Sequence, residues 1–282
     1  MSDSAVEAES PASGDAPTRR IVAKLESLVR IGFLASAELP YPQRLLAARF
    51  SRLSPAGEDG IFGMLATVCG LLTGACCVEL GLPPRERGTL LGATAMELGF
   101  RYLALDADEH RLQKAQLKLG SPNLQFCKMN PTVEDLPDGL LSGGIDVLAI
   151  GNEWGGATRW ERLAAFRPTI VAVAYKVRLG LQPVTIVGQG YESEPRPYDA
   201  RLLGSSLTAA TNVANRQRYR LAVVEPDGHV AFFVKDGVAP EIQAMDVEVA
   251  YAISRGRVDA NLAAATIDRA RARGLEVRQA GM

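Results

Sequence analysis

The sequence predicts an α/β domain whose sheet runs parallel through five strands and closes with an antiparallel hairpin. Short apolar runs alternate with helical patterns from Cys76 to Tyr175, which is the signature of a parallel sheet covered by helices. Two further runs, Tyr219 to Glu225 and His229 to Lys235, are separated by Pro226-Asp227-Gly228, a hairpin turn. A glycine, Gly81, ends the first strand and an acid, Asp106, ends the second, the pattern of a fold that binds nucleotides at its strand ends.

The elements follow in order. Residues 1–18 are rich in Ser, Ala, Glu and Pro and read as a disordered tail. A helical cap is expected over 19–54. Ile21, Leu25, Leu28, Val29, Ile31 and Leu34 share one helix face, Pro40 and Pro42 interrupt, and Leu45, Leu46 and Phe50 mark a second short helix. Residues 57–69 are helical, with Ile61, Met64, Leu65 and Val68 on one side. Strands are expected at Cys76 to Leu80, Tyr102 to Leu105, Leu124 to Lys128, Ile145 to Ile150 and Thr169 to Tyr175. Helices are expected at Thr89 to Leu98, Glu109 to Leu119, Thr158 to Phe166 and Ser205 to Gln217. The segment 239–282 reads as two helices, Val247 to Arg255 and Asn261 to Arg273. Asp259 is the N-cap of the second and Gly274 its stop.

Composition excludes several classes. Hydrophobic residues form 47% of the 282-residue chain, enough for a sizeable core. A net charge of −1 offers no concentrated basic face for nucleic acid. Cys76 and Cys77 are adjacent on a strand and so point to opposite faces, which does not suit chelation of one ion. With two histidines, His110 and His229, and no CxxC, no metal centre is expected. The start of the chain carries no apolar signal core, and no run approaches the roughly 18 apolar residues of a membrane span. A cytoplasmic protein without nucleic-acid or membrane partners is expected.

The candidate chemistry lies at strand ends. Val78-Glu79-Leu80-Gly81 and Asp106 form the nucleotide candidate, Asp106 as acceptor for ribose hydroxyls. The loop Leu82-Pro83-Pro84-Arg85-Glu86-Arg87-Gly88 lacks two N–H donors and is a stiff cradle. Its arginines face either an anion or solvent. Glu58 and Asp59 open a helix, where acids complement the dipole. His229 reads as a turn residue. Segment 177–201, with Pro183, Pro195, Pro197, Tyr191 and Tyr198, is too long for a simple connector and reads as a lid or interface.

Several of these stretches together resemble a bacterial family of S-adenosylmethionine-dependent methyltransferases. Gly57-Glu58-Asp59-Gly60-Ile61 before Val78-Glu79-Leu80-Gly81 is similar to the family's opening. Ile145-Asp146-Val147-Leu148, Arg167-Pro168 with Val171 to Tyr175, Gly204-Ser205-Ser206-Leu207-Thr208-Ala209, Tyr219-Arg220-Leu221 and Gly228 to Phe233 resemble its later strands, helix start and hairpin. The resemblance spans about residues 55–238. It implies a Rossmann-like class I methyltransferase fold, S-adenosylmethionine as cofactor, and a small-metabolite acceptor such as a sugar or specialised-metabolite hydroxyl.

The residue carry-over is partial. Glu79, Gly81, Asp106 and Trp154 are the cofactor-binding candidates; Glu153, Tyr175 and Lys176 are the catalytic ones. In these roles Glu153 serves as a base or holds the cofactor's amino-acid part, Trp154 stacks on adenine or anchors its loop, and Lys176 meets an anionic substrate. Where the family has Asp-Ile-Asp-Gly-Asn-Asp, this chain has Gly151-Asn152-Glu153-Trp154-Gly155-Gly156. Its Glu-Tyr-Asn is Ala174-Tyr175-Lys176, and the hairpin Asn is Val230. Polar groups are lost at strand ends while the framework is kept. Three readings therefore stand: a methyltransferase, a non-catalytic subunit that stabilises or regulates a related chain in a homo- or hetero-oligomer, and cofactor-independent chemistry in the same cleft.

Overall fold

The computed structural model describes residues 39–51, 54–83, 89–120, 124–128, 144–151, 155–188, 202–227 and 229–280. The tail at 1–18 and the helix expected from Arg19 lie outside these, apart from Leu39.

A seven-stranded sheet forms the centre. Its strands are β1 (Cys76–Leu80), β2 (Arg101–Asp106), β3 (Leu124–Lys128), β4 (Val147–Ile150), β5 (Ile170–Ala174), β8 (Tyr219–Glu225) and β9 (Val230–Lys235). They lie in the order β3-β2-β1-β4-β5-β9-β8. The first five are parallel, and β9 runs antiparallel to both β5 and β8. This is the Rossmann-like class I methyltransferase arrangement, and every expected strand of this sheet is present within a residue or two.

Side-chain alternation splits the core between the two faces. Cys77, Val147, Ala149, Ile170, Ala172 and Phe232 face one cluster. It is closed by α1 (Gln43–Ala47), α2 (Glu58–Val68), α3 (Gly92–Glu97) and α4 (Glu109–Leu119) through Leu45, Ile61, Phe62, Leu65, Ala93, Ala95, Leu112 and Ala115. Cys76, Val78, Leu80, Leu148, Ile150, Val171, Val173 and Phe233 face the other. Here α5 (Gly156–Arg162), α6 (Leu207–Arg216) and α7 (Val247–Ile253) supply Trp160, Leu207, Val213 and Ala250. Trp160 is fully buried, its ring 5.2 Å from Tyr219 and 5.0 Å from Phe233. Cys76 and Cys77 do point to opposite faces, and all four cysteines are free.

A second, smaller sheet was not foreseen. It contains β6 (Val184–Val187), β7 (Gly204–Ser205) and β10 (Glu276–Gln279), in the order β10-β6-β7 and antiparallel throughout. So the segment 177–201, read as a lid or interface loop, holds a strand at Val184–Val187; residues 189–201 lie outside the described residues. Likewise the tail read as helices only ends in a strand. Helix α8 (Ala260–Ala272) covers this sheet, with Ile267 and Ala270 against Leu179, Val184, Ile186 and Leu203. Asp259 caps α8 through Leu262 N–H at 2.8 Å, and Gly274 follows it with φ +73°, both as anticipated. No helix among the described residues is long and apolar enough to cross a membrane.

The start of α2 is pressed against the segment after α1. Gly60 N–H donates to Phe50 O at 3.1 Å, and a Cβ on Gly60 would lie 1.9 Å from Ala48 O and 2.5 Å from Phe50 Cδ1. On an open helix surface, alanine is better than glycine by about 1 kcal/mol. Here Gly60→Ala should instead destabilise by about 1–3 kcal/mol, since one helix or the other must move. A melting midpoint unchanged or raised in the variant would contradict this contact.

Candidate functional site

Ligands of this fold bind outside the carboxyl ends of the strands, at the point where strand order reverses. Here that point lies between β1 and β4. The pairing carries on one residue past the end of β4: Gly151 N–H donates to Leu80 O at 2.7 Å. A Cβ on Gly151 would lie 2.6 Å from Gly81 O. Glycine at this position therefore lets the two backbones close together. Gly81 itself has φ +76°, a left-handed conformation that glycine takes without strain.

Asp106 ends β2 beside Gly81 and is 2% exposed. Its Oδ2 accepts from Leu82 N–H at 2.7 Å and its Oδ1 from Asp108 N–H at 2.7 Å. Arg111 Nη1 stands 3.8 Å from Oδ2 and donates to Leu82 O at 3.5 Å. Leu82 is 3% exposed and belongs to the core cluster on the α2 face. The chain leaving β1 thus folds onto the end of β2, and the carboxyl group expected to accept ribose hydroxyls accepts from the protein's own backbone.

Glu79 is wholly buried one position before the strand end. Oε1 accepts from Leu90 N–H at 2.7 Å; Oε2 accepts from Leu91 N–H at 3.1 Å and Tyr102 O–H at 2.8 Å. Burial pushes its carboxyl up to about 7, against the pull of those three donors, with Asp106 adding to the rise. Leu91 is the N-cap of α3, so Glu79 takes the N–H groups of the N-cap and of the residue before it. The neighbouring helix starts are filled in the same way. Asp108 accepts from His110 and Arg111 N–H at α4, and Ser205 Oγ accepts from Ala157 N–H at 2.9 Å at α5.

Tyr175 and Lys176 stand past the end of β5, two strand spacings or about 10 Å from β1. Tyr175 is 1% exposed, and its hydroxyl pairs with Ser254 Oγ at 2.6 Å. Burial raises that hydroxyl to about 12. Its ring meets His229 edge-on at 5.8 Å. His229 sits in the hairpin turn with φ +57°, as its reading as a turn residue implied, and its Nε2 pairs with Arg255 O at 2.7 Å. Lys176 donates its backbone N–H to Ser205 O at 2.7 Å and is half-buried. Glu153, Trp154 and the loop from Pro84 to Gly88 lie outside the described residues. The structure therefore brings Glu79, Gly81 and Asp106 together and holds Tyr175 and Lys176 apart from them.

Glu58 and Asp59 do more than complement a dipole. Asp59 Oδ2 accepts from Ser54 N–H and Oγ–H at 3.0 and 2.8 Å, and Oδ1 from Thr94 Oγ1 at 3.0 Å. Glu58 accepts from Ala56 N–H at 2.7 Å; burial, with Glu225 nearby, lifts its carboxyl to about 7. Arg49 pairs with Glu225 and with Asp227, and Arg255 reaches Asp227 at 2.7 Å.

Sequence reasoning missed Arg111, Arg49 and Ser254. Arg111 carried a signal: a cation in the first turn of α4 opposes the helix dipole and calls for a carboxylate partner. Arg49 and Ser254 act across long sequence separations and carried none.

No protein-family model matches the chain, and no curated protein matches it. Among solved structures it is similar to a SAM-dependent methyltransferase from Geobacter sulfurreducens in complex with S-adenosyl-L-homocysteine. The identity is 18% over 65% of this chain and 73% of that one, with a TM-score of 0.38. A SAM-dependent methyltransferase from Thiobacillus denitrificans, in complex with the same ligand, shares 15% identity over 62% and 68%, with a TM-score of 0.38. Coclaurine N-methyltransferase bound to N-methylheliamine and SAH shares 11% over 55% and 54%, with a TM-score of 0.31. The chain spans about half the length of that last protein. Likeness at these values says nothing of activity, and the fold rests on the strand order itself.

The two buried acids set a pH dependence. A carboxyl raised from its ordinary 4.5 to about 7 in the folded chain holds its proton more tightly there than in the unfolded chain. Its contribution is complete below about pH 4.5 and is lost as pH rises through about 7. The melting midpoint should therefore fall between pH 5 and pH 8, and Glu79→Gln should flatten that fall. Equal slopes in variant and parent would show that Glu79 does not titrate in this window.

Proposed function

We propose that this chain is a methyltransferase-fold protein that works through protein contacts, as a non-catalytic subunit that stabilises or regulates a partner chain. The observation that carries this reading is Asp106. Both of its oxygens accept backbone N–H groups of the chain itself, in a position 2% exposed. With the carboxyl group 2% exposed and Leu82 packed beside it in the core, a ribose hydroxyl would have to move Leu82 to reach Asp106. The closed surroundings of Asp106 favour this reading over one in which the acid holds a nucleoside.

Other features support the same reading. The α3 start is taken by Glu79, the α5 start by Ser205, and Tyr175 by Ser254. Gly151, Ala174 and Val230 carry no polar side chain at the strand ends. A scaffold needs only its packed core, and that core is complete on both faces of the sheet.

A second reading, methyl transfer from S-adenosylmethionine to a small metabolite, draws support from one observation. Gly81 with its positive φ and Asp106 keep the strand-end positions at which this fold holds nucleotides. Glu153 and Trp154 would then complete the site.

Calorimetric titration of the protein with S-adenosylmethionine and S-adenosylhomocysteine separates the two. The expected result is no binding, together with a loss of about 1–3 kcal/mol in stability for Asp106→Ala, whose removal orphans two N–H groups. Micromolar binding that disappears in Asp106→Ala, with the variant as stable as its parent, would establish the methyltransferase reading instead.

A further inference from the structure

The small sheet leaves one edge open. β10 pairs with β6 on one side, and among the described residues no strand pairs with the other. The ladder fixes which main-chain groups face outward. Ala280 N–H donates to Pro183 O at 2.8 Å. Stepping back by two, Arg278 opposite Thr185 and Glu276 opposite Val187 occupy the same kind of position and turn their main-chain groups to β6. Val277 and Gln279 then turn their N–H and C=O groups to the open edge. Unpaired groups of this kind are a template for a further strand.

The side chains say which strand fits. Glu276 and Arg278 share one face, alternating with Val277 and Gln279. Arg278 Nε and Nη2 donate to Glu276 Oε1 and Oε2 at 2.8 and 2.9 Å, and the two side chains remain 40% and 48% exposed, respectively. Now let a second β10 run antiparallel along the edge, with the two-fold axis at Val277. The outward groups of Val277 meet their equivalents as a hydrogen-bonded pair. Glu276 of each copy then falls opposite Arg278 of the other, in the non-hydrogen-bonded position where side chains approach closest. The two neighbouring registers of the same parity set Glu276 against Glu276, or Arg278 against Arg278. Of these three registers, charge favours the one centred on Val277. Val277 also packs beside the apolar cluster under α8, so pairing would join two such clusters.

We propose that β10 is a self-association edge, through which two copies of the chain form one continuous six-stranded sheet. This rests on the reading of the chain as a protein that works through contacts, and names its partner as a second copy and its surface as Glu276–Gln279.

Sedimentation velocity on the full chain, without any cofactor, tests it. The unaltered chain should sediment as a dimer at micromolar concentration. Arg278→Glu alone and Glu276→Arg alone each place like charges across the axis and should raise the dissociation constant on the order of tenfold or more. An equimolar mixture of the two variants restores opposite charges in the mixed pair and should dimerise again. The double reversal, which keeps every ion pair, should behave as the parent. Val277→Pro removes an outward N–H that β6 does not use, and should also give monomer. Melting curves report whether each variant is folded. A parent that sediments as a monomer at tens of micromolar, single variants that remain dimeric, or a mixture that stays monomeric would each overturn the proposal. Since no ligand enters this measurement, its outcome is independent of the titration with S-adenosylmethionine.

Discussion

The carboxyl edge of the sheet is organised by one buried carboxyl group, that of Asp106. Hydrogen bonds to such a group are stronger than those between neutral partners and are costly to leave unmade inside a protein. By accepting from Leu82 and from Asp108 it joins the exit of β1 to the exit of β2. Leu82 is thereby drawn into the core on the α2 face, and Asp108 is set to cap α4. Arg111, held in the first turn of that helix, bridges back to both. The geometry of the crevice follows from where this acid directs its lone pairs.

The same economy repeats around the edge. Glu79 serves the start of α3, Ser205 the start of α5 and Ser206 the start of α6. In a ligand-binding member of the fold class, helix starts and strand-end acids are kept for the ligand. In this chain Glu79, Ser205, Ser206 and Asp106 make internal bonds there. Glu79 and Glu58 bear the clearest mark of it, since both lie in surroundings that favour the protonated acid. The rest of the edge is tied by ions: Arg49 and Arg255 converge on Asp227 from opposite ends of the described chain.

The large sheet was legible because its signals are local. Cys76–Leu80, Ile145 to Ile150 and Thr169 to Tyr175 are apolar runs bounded by turn residues, and burial of both faces demands just that. The small sheet was obscured for two reasons. Val184–Val187 has strong strand character but lies in a proline-containing stretch that reads as a lid or interface loop. Glu276–Gln279 has a single apolar residue, so its strand conformation comes from pairing with β6 rather than from propensity. At the site, the positions of Gly81 and Asp106 followed from the alternation of elements. The partners of Asp106, Tyr175 and Glu225 did not, because Leu82, Ser254 and Arg49 are set by tertiary approach. Gly151 is the intermediate case: its departure from the family pattern was visible, yet its cause, the close backbone of Gly81, appears only in three dimensions.

The pairing of β6 with β10 also bears on how the chain reaches its native state. Val187 leaves the ribosome long before Glu276, its neighbour in the ladder, and everything from β7 to α8 is made in between. Contacts of such wide separation form late, because loop closure must precede any gain from them. The seven-stranded sheet is complete at Lys235 and can condense first. Until β10 is made, β6 has only the short β7 beside it and one edge open, a place for chaperone capture or wrong pairing between nascent chains.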